Sequence, residues 1–223
     1  MKLFKLITVV SAVLVLSVAV FAQDPVKVDP SHYSVLLENA AVRLLHVTYP
    51  VGGKSPMHQH PDSIAVALTP SKVKFTMPDG KTQDSDMANE SAMYIPGGPH
   101  SPTNVGTGAV SALVVEFKAA APGKATLPAS REGMTLKVLA EGPRAMAYRS
   151  TAAPTFTEAA GTKHDFDQVV IALNAAQMSL AVAGQPAKTM WKRGDAVFIG
   201  RGTAHEAKNT GGKPVDFIIV AIK

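Results

Sequence analysis

No cysteine occurs in the 223 residues, which excludes disulfide scaffolds, thiolate metal sites, cysteine nucleophiles and lipid attachment at a cysteine. Such a chain is compatible with an oxidising compartment. Charge is sparse at 17%, against 46% apolar residues, a balance that describes a globular chain with a real core rather than a disordered one. Aromatics make up only 6% and the basic residues are scattered. Neither a phosphate-tracking stripe nor a base-stacking platform is present, so nucleic acid is not an expected partner. No stretch keeps a helical period, and 17 glycines and 16 prolines punctuate the chain, which argues against a helical bundle. A Gly-x-Ser-x-Gly elbow, a phosphate loop and a dinucleotide glycine fingerprint are all missing.

The first 22 residues stand apart. Lys2 and Lys5 form a basic start, Leu6 to Val20 is an uncharged apolar run, and Val20-Phe21-Ala22 places small residues before a cut. This predicts a secretory signal peptide cleaved after Ala22 and a periplasmic or secreted mature protein with no stable membrane span. The alternative is an uncleaved anchor, for which the 17 residues from Leu6 to Ala22 are at the lower edge of a spanning length. The segment carries two of the 22 basic residues and none of the 17 acidic ones, so its removal lowers the net charge from +5 to +3.

The remainder contains a repeat. His100-Ser101-Pro102-Thr103-Asn104 recurs as His205-Glu206-Ala207-Lys208-Asn209, an offset of 105 residues. At that offset Ser63 to Leu68 falls on Gln168 to Leu173, Gly97 on Gly202, and Val114 to Lys118 on Ile219 to Lys223. Two homologous units are expected, 23–120 and 131–223. They are joined over 121–130, where Pro122-Gly123 and Leu127-Pro128 suit neither helix nor strand. β-Branched runs mark strands at Val42 to Tyr49, Ile64 to Leu68, Val73 to Met77 and Ala109 to Phe117 in the first unit. Val169 to Leu173, Met178 to Val182, Ala196 to Ile199 and Val215 to Ile222 mark them in the second. Pro78-Asp79-Gly80-Lys81 predicts a hairpin turn. The fold class is all-β, with each unit a small antiparallel barrel or sandwich.

His58 and His60 are two apart, so on a strand both side chains lie on one face. His100 follows the tight Pro96-Gly97-Gly98-Pro99 turn, from which a returning strand would bring it opposite. Three convergent neutral imidazoles make a site for a first-row divalent ion, with zinc, copper, iron and nickel all compatible.

On these residues the sequence resembles the cupin superfamily, and through the repeat the bicupins, which carry two double-stranded β-helix barrels in tandem. The first cupin motif, G-x5-H-x-H-x(3,4)-E, is similar to Gly53 to Ser63, one residue short between Gly53 and His58. The second, P-x-G-x(1,2)-H-x3-N, is similar to Pro96 to Asn104. Where most cupins place a glutamate ligand this chain has Ser63. The resemblance therefore implies a metal shell of His58, His60 and His100 without an anion, as in three-histidine cupins that include dioxygenases acting on thiols, diketones and aromatic diols. Asp62 is adjacent and points to the other face, so it reads as a turn or solvent residue. A homodimer through strand edges is implied by resemblance only.

Without gaps, the repeat sets Lys163 at the place of His58, Asp165 at His60, Gln168 at Ser63 and His205 at His100. A lysine opposes a nearby cation, and His164 faces away by strand parity, so the second unit is expected to be structural or substrate-shaping. His32 and His46 have no partner pattern and read as structural or surface residues. Met57, Met93 and Tyr94 read as barrel lining, with the Tyr94 hydroxyl within reach of a ligand.

The expected function is a metal-dependent small-molecule enzyme, dioxygenase-like, holding one divalent transition metal (iron, manganese, zinc, nickel or copper) in the first unit. Its catalytic residues are unassigned. With no carboxylate ligand the ion keeps its full charge, which favours an anionic substrate bound in two places and hydrogen-bonded by Ser63. An isomerase or hydrolytic reaction would use the same ligands. The alternative class is a non-catalytic envelope module that captures a small molecule or metal.

Overall fold

The computed structural model describes residues 23–118, 125–129 and 131–223; the expected signal peptide and part of the expected linker lie outside them. Among the described residues the only helix is one turn, α1 (Pro25–Val28), whose cap Asp24 accepts from the Val26 and Lys27 amides. No helix there is long and apolar enough to cross a membrane. The remaining regular structure is strand, as an all-β chain requires.

Residues 33–117 form β1 (Tyr33–Glu38), β2 (Val42–Tyr49), β3 (His58–His60), β4 (Ser63–Ala67), β5 (Ser71–Thr76), β6 (Thr82–Met87), β7 (Ala92–Ile95), β8 (Gly98–Asn104) and β9 (Val110–Phe117). They pair into a five-stranded sheet, β1-β2-β9-β4-β7, and a four-stranded sheet, β3-β8-β5-β6. Residues 134–222 form β10 (Met134–Glu141), β11 (Ala145–Ala152), β12 (Asp167–Ala172), β13 (Ala176–Val182), β14 (Lys188–Trp191), β15 (Ala196–Ile199), β16 (His205–Asn209) and β17 (Val215–Ile222). These repeat the pattern as β10-β11-β17-β12-β15 and a three-stranded β14-β13-β16. The predicted turn joins β5 to β6, with the Met77 amide donating to the Lys81 carbonyl at 2.8 Å and Gly80 at φ +81°. That left-handed conformation carries no Cβ penalty in glycine.

The apolar runs are explained by burial on both faces. Every residue of β4 is buried, and strand alternation divides them. Ile64 and Val66 enter a central core, whereas Ala65 and Ala67 enter the core shared with Val73 and Met87 of the four-stranded sheet. In the second half Val169 and Ile171 of β12 face the central core, and Val170 and Ala172 face Met178, Leu180 and Trp191. The central core is where the two five-stranded sheets pack together, Leu113, Val115 and Phe117 meeting Ile218, Val220 and Ile222. A strand sandwiched in this way needs apolar residues throughout rather than at alternate positions.

Polar contacts close the edge of this junction. Arg193 donates to Glu90 at 2.7 Å, to Asn89 and the Leu68 carbonyl at 2.8 Å each, and to the Leu173 carbonyl. Glu90, the only non-glycine residue at positive φ among the described residues, also meets Arg149 at 3.2 Å.

Candidate metal centre

β3 is short and its pattern is buried, exposed, buried, which turns His58 and His60 inward and Gln59 out. Antiparallel pairing with β8 sets His58 opposite His100 and His60 opposite Gly98. The three imidazoles thus share one face, and one nitrogen of each lies within 4.8 Å of the others. All three are buried.

Outer partners orient the rings. His58 Nδ1 lies 2.8 Å from the Pro56 carbonyl, and His60 Nδ1 lies 2.6 Å from Glu116. Both oxygens can only accept, so each ring carries its proton on Nδ1 and turns the Nε2 lone pair inward, where the two Nε2 atoms are 3.1 Å apart. Burial, with the neighbouring imidazoles second, pushes His100 down to about 3. Burial also lowers His58, only partly offset by the Pro56 carbonyl. Neutral imidazole is the form that ligates a metal. Glu116 is buried, which raises its pKa, but His60 and Arg43 more than offset this and hold the carboxylate ionised. Arg43 donates to Glu116 at 2.5 Å and also to Asp24.

A chain of hydroxyls approaches from the other side. The Tyr33 hydroxyl lies 3.1 Å from His58 Nε2, Tyr49 donates to Tyr33 at 2.6 Å, Ser55 lies 2.7 Å from Tyr49, and Ser55 donates to Asp29. His32 contacts Asp29 at 2.6 Å and stacks on Tyr49 at 4.6 Å. Burial raises the Asp29 carboxyl, but Ser31, Ser55 and His32 outweigh it and bring it down to about 2. A pKa lowered by folding gives stability that is complete above the ordinary value of 3.8 and is lost as pH falls toward 2. Asp29→Asn is accordingly expected to lower unfolding stability by about 1–2 kcal/mol at pH 7. In urea titrations the gap to the unaltered chain should narrow below pH 4; a gap independent of pH would contradict this account.

Ser63 begins β4 beside the histidines, and its Oγ is the only buried side-chain polar atom without a partner among the described residues. It faces a cavity of about 80 Å³ bounded by His60, His100, Val73, Phe75 and Met93, with no charged side chain in its wall. Asp62 accepts from the Tyr94 hydroxyl at 2.8 Å and the Gly97 amide at 2.7 Å. It is thus a turn-fixing residue, and it holds the Tyr94 hydroxyl that the sequence placed within reach of a ligand. His46 pairs with Ser111 at 2.9 Å, a structural role as expected.

Glu116, Tyr33 and Asp29 were not found by sequence reasoning. Glu116 had a signal, as a lone charge within the apolar run Leu113-Val114-Val115-Glu116-Phe117.

In the second half one expectation is corrected. Lys163 and Asp165 are exposed and His164 points inward, its ring 5.1 Å from that of His205. Thr162 bridges to His205 as His58 pairs with His100, so the ungapped repeat misplaced this segment by one residue. Glu158, His164 and His205 offer ligand atoms within 4.8 Å of one another.

No family model matches the chain. No curated protein matches it either. Among solved structures, AerE from Microcystis aeruginosa is similar with a TM-score of 0.67 at 12% identity, over 91% of this chain and 97% of that one. Oxalate decarboxylase from Bacillus subtilis, a protein with Mn(II) centres, is similar with a TM-score of 0.58 at 13% identity, over 85% of this chain and 74% of that one. Likenesses at such identity speak for architecture alone, and the architecture they share with this chain is the cupin fold.

Proposed function

We propose that the chain is a bicupin metalloenzyme of the periplasm or extracellular space, which holds a divalent transition ion on His58, His60 and His100 and acts on a small molecule as a dioxygenase-type enzyme. One observation carries the reading: three buried imidazoles converge beside an unpartnered hydroxyl, Ser63, at a largely apolar cavity. Such a donor set fits a first-row divalent ion, and the Mn(II) centres of the B. subtilis structural neighbour support that class. When bound, the ion supplies Lewis-acid and redox chemistry to oxygen atoms of a substrate.

The chain's own residues do the rest. The Pro56 carbonyl and Glu116 fix the His58 and His60 tautomers and turn both Nε2 atoms inward, that of His58 toward the Tyr33 hydroxyl, which a bound ion would displace. Ser63 donates to a substrate oxygen beside His60. Val73, Phe75 and Met93 exclude water and accept a hydrocarbon flank. The cavity wall contains no cationic side chain, so anionic oxygens belong at the histidine end only. A small enolate or diolate with an apolar flank fits this division. A dicarboxylate fits poorly, because its second charge would face Val73 and Phe75.

Loaded with Fe(II) and offered diketones and aromatic diols, the full chain is expected to consume oxygen with turnover. Ser63→Ala should raise KM about 5- to 10-fold, the worth of one hydrogen bond, without changing metal content. Tight binding of these compounds with no product would assign a non-catalytic capture module instead.

A further inference from the structure

The second half carries a donor set that the ungapped repeat conceals, and backbone pairing gives the correspondence. The Ser55 amide donates to the Pro102 carbonyl at 3.1 Å, and the Glu158 amide to the Ala207 carbonyl at 2.7 Å, so Glu158 occupies the place of Ser55. Thr162 takes the place of His58, and His164, two residues on, that of His60. One imidazole has been lost and one carboxylate gained.

The remaining donors are arranged as acceptors without a proton to share. His205 Nδ1 lies 3.2 Å from the Thr203 carbonyl. A carbonyl only accepts, so the neutral ring turns the Nε2 lone pair toward Glu158 Oε2, at 3.6 Å. Two lone pairs facing each other in a buried place are unfavourable unless a cation lies between them. The other carboxylate oxygen is held by Arg131, which orients Glu158 and leaves Oε2 free. His164 completes the group, and the donors stand at the polar end of a cavity of about 70 Å³ lined by Tyr148, Phe156, Leu180, Trp191 and Phe217.

We propose that Glu158, His164 and His205 form a second metal site, for a divalent first-row ion, with a ligand set different from that of the first half. Two histidines and one carboxylate with open positions suit Fe(II) and related ions. The open positions face an apolar chamber, so a ligand on this ion would be small and largely hydrocarbon. The two sites share no residue and stand or fall separately.

The test uses the full chain stripped of metal and titrated with Co(II), read by elemental analysis after desalting. Two ions per chain are expected. Glu158→Gln, which keeps an oxygen for Arg131, should remove one ion and leave the one on His58, His60 and His100. Thr162→His restores the missing imidazole and should tighten the second site at least about 10-fold, measured with His60→Ala so that only this site binds. Two ions retained in Glu158→Gln would overturn the proposal. So would a single ion in the unaltered chain that is lost in His60→Ala and unmoved by Thr162→His. A single ion lost in Glu158→Gln but kept in His60→Ala would support it and sink the first site instead.

Discussion

Replacing His60 by alanine is expected to weaken ion binding at the first site by more than about 100-fold, beyond the roughly 10- to 100-fold that removal of an outer-shell partner costs. Two effects combine. A three-donor site becomes a two-donor site, and Glu116, whose Oε1 meets His60 at 2.6 Å, loses the group that connects it to the centre. Glu116→Gln separates these contributions, because it keeps all three imidazoles and removes only the anionic acceptor. It should fall within the outer-shell range. Calorimetric titration with Mn(II) measures both, and an affinity unchanged by His60→Ala would show that the three histidines do not hold an ion.

Gly142→Ala should be the most damaging alanine substitution among the described glycines. The glycine lies between β10 and β11, and a Cβ there would stand 2.2 Å from Cδ2 and 2.4 Å from Cγ of Tyr94 on β7 of the other half. The ring has little freedom to retreat, since its hydroxyl is tied to Asp62 at 2.8 Å and its face lies near Phe117. Overpacking of this kind costs typically 1–3 kcal/mol, and a clash with ring carbons rather than a flexible tip belongs at the upper end, about 3 kcal/mol. For a chain of this size that lowers Tm by about 6–12 °C. Tyr94→Ala in the same chain should recover part of the loss. A Tm within about 1 °C of the unaltered chain would mean that the halves do not pack as described.

Strands were legible where β-branched and other apolar residues run together, in the sandwiched sheets and, at Val73 to Met77 and Met178 to Val182, in the outer ones. Val42–Tyr49, Ala196–Ile199 and Val215–Ile222 appear with the expected limits, whereas β11 was missed although it packs toward two cores, because its alanines carry no strand signal. β6, Thr82–Met87, was not legible: it is an exposed, largely polar strand with only Met87 buried, and nothing in its composition separates it from a loop. β10 likewise has no buried residue. The first histidine trio was readable because spacing and turn both act locally. Glu158 was not, since its approach to His205 depends on a loop that differs in length from its counterpart. A gap of one residue reverses strand parity, and that alone hid the inward orientation of His164.

The face joining the five-stranded sheets is made of repeat-equivalent residues: Ile64 and Val169, Val66 and Ile171, Leu113 and Ile218, Val115 and Val220, Phe117 and Ile222. A surface that meets its own counterpart is how a two-fold homodimer is built. Within one polypeptide the two halves therefore pack as the subunits of a two-fold homodimer would. In such a dimer any substitution appears at both centres at once, so the two cannot acquire different ligands. A single chain is free of that constraint while the apolar face stays covered. Here one half has Ser55 and His58 where the other has Glu158 and Thr162, and a single molecule holds two chemically distinct chambers.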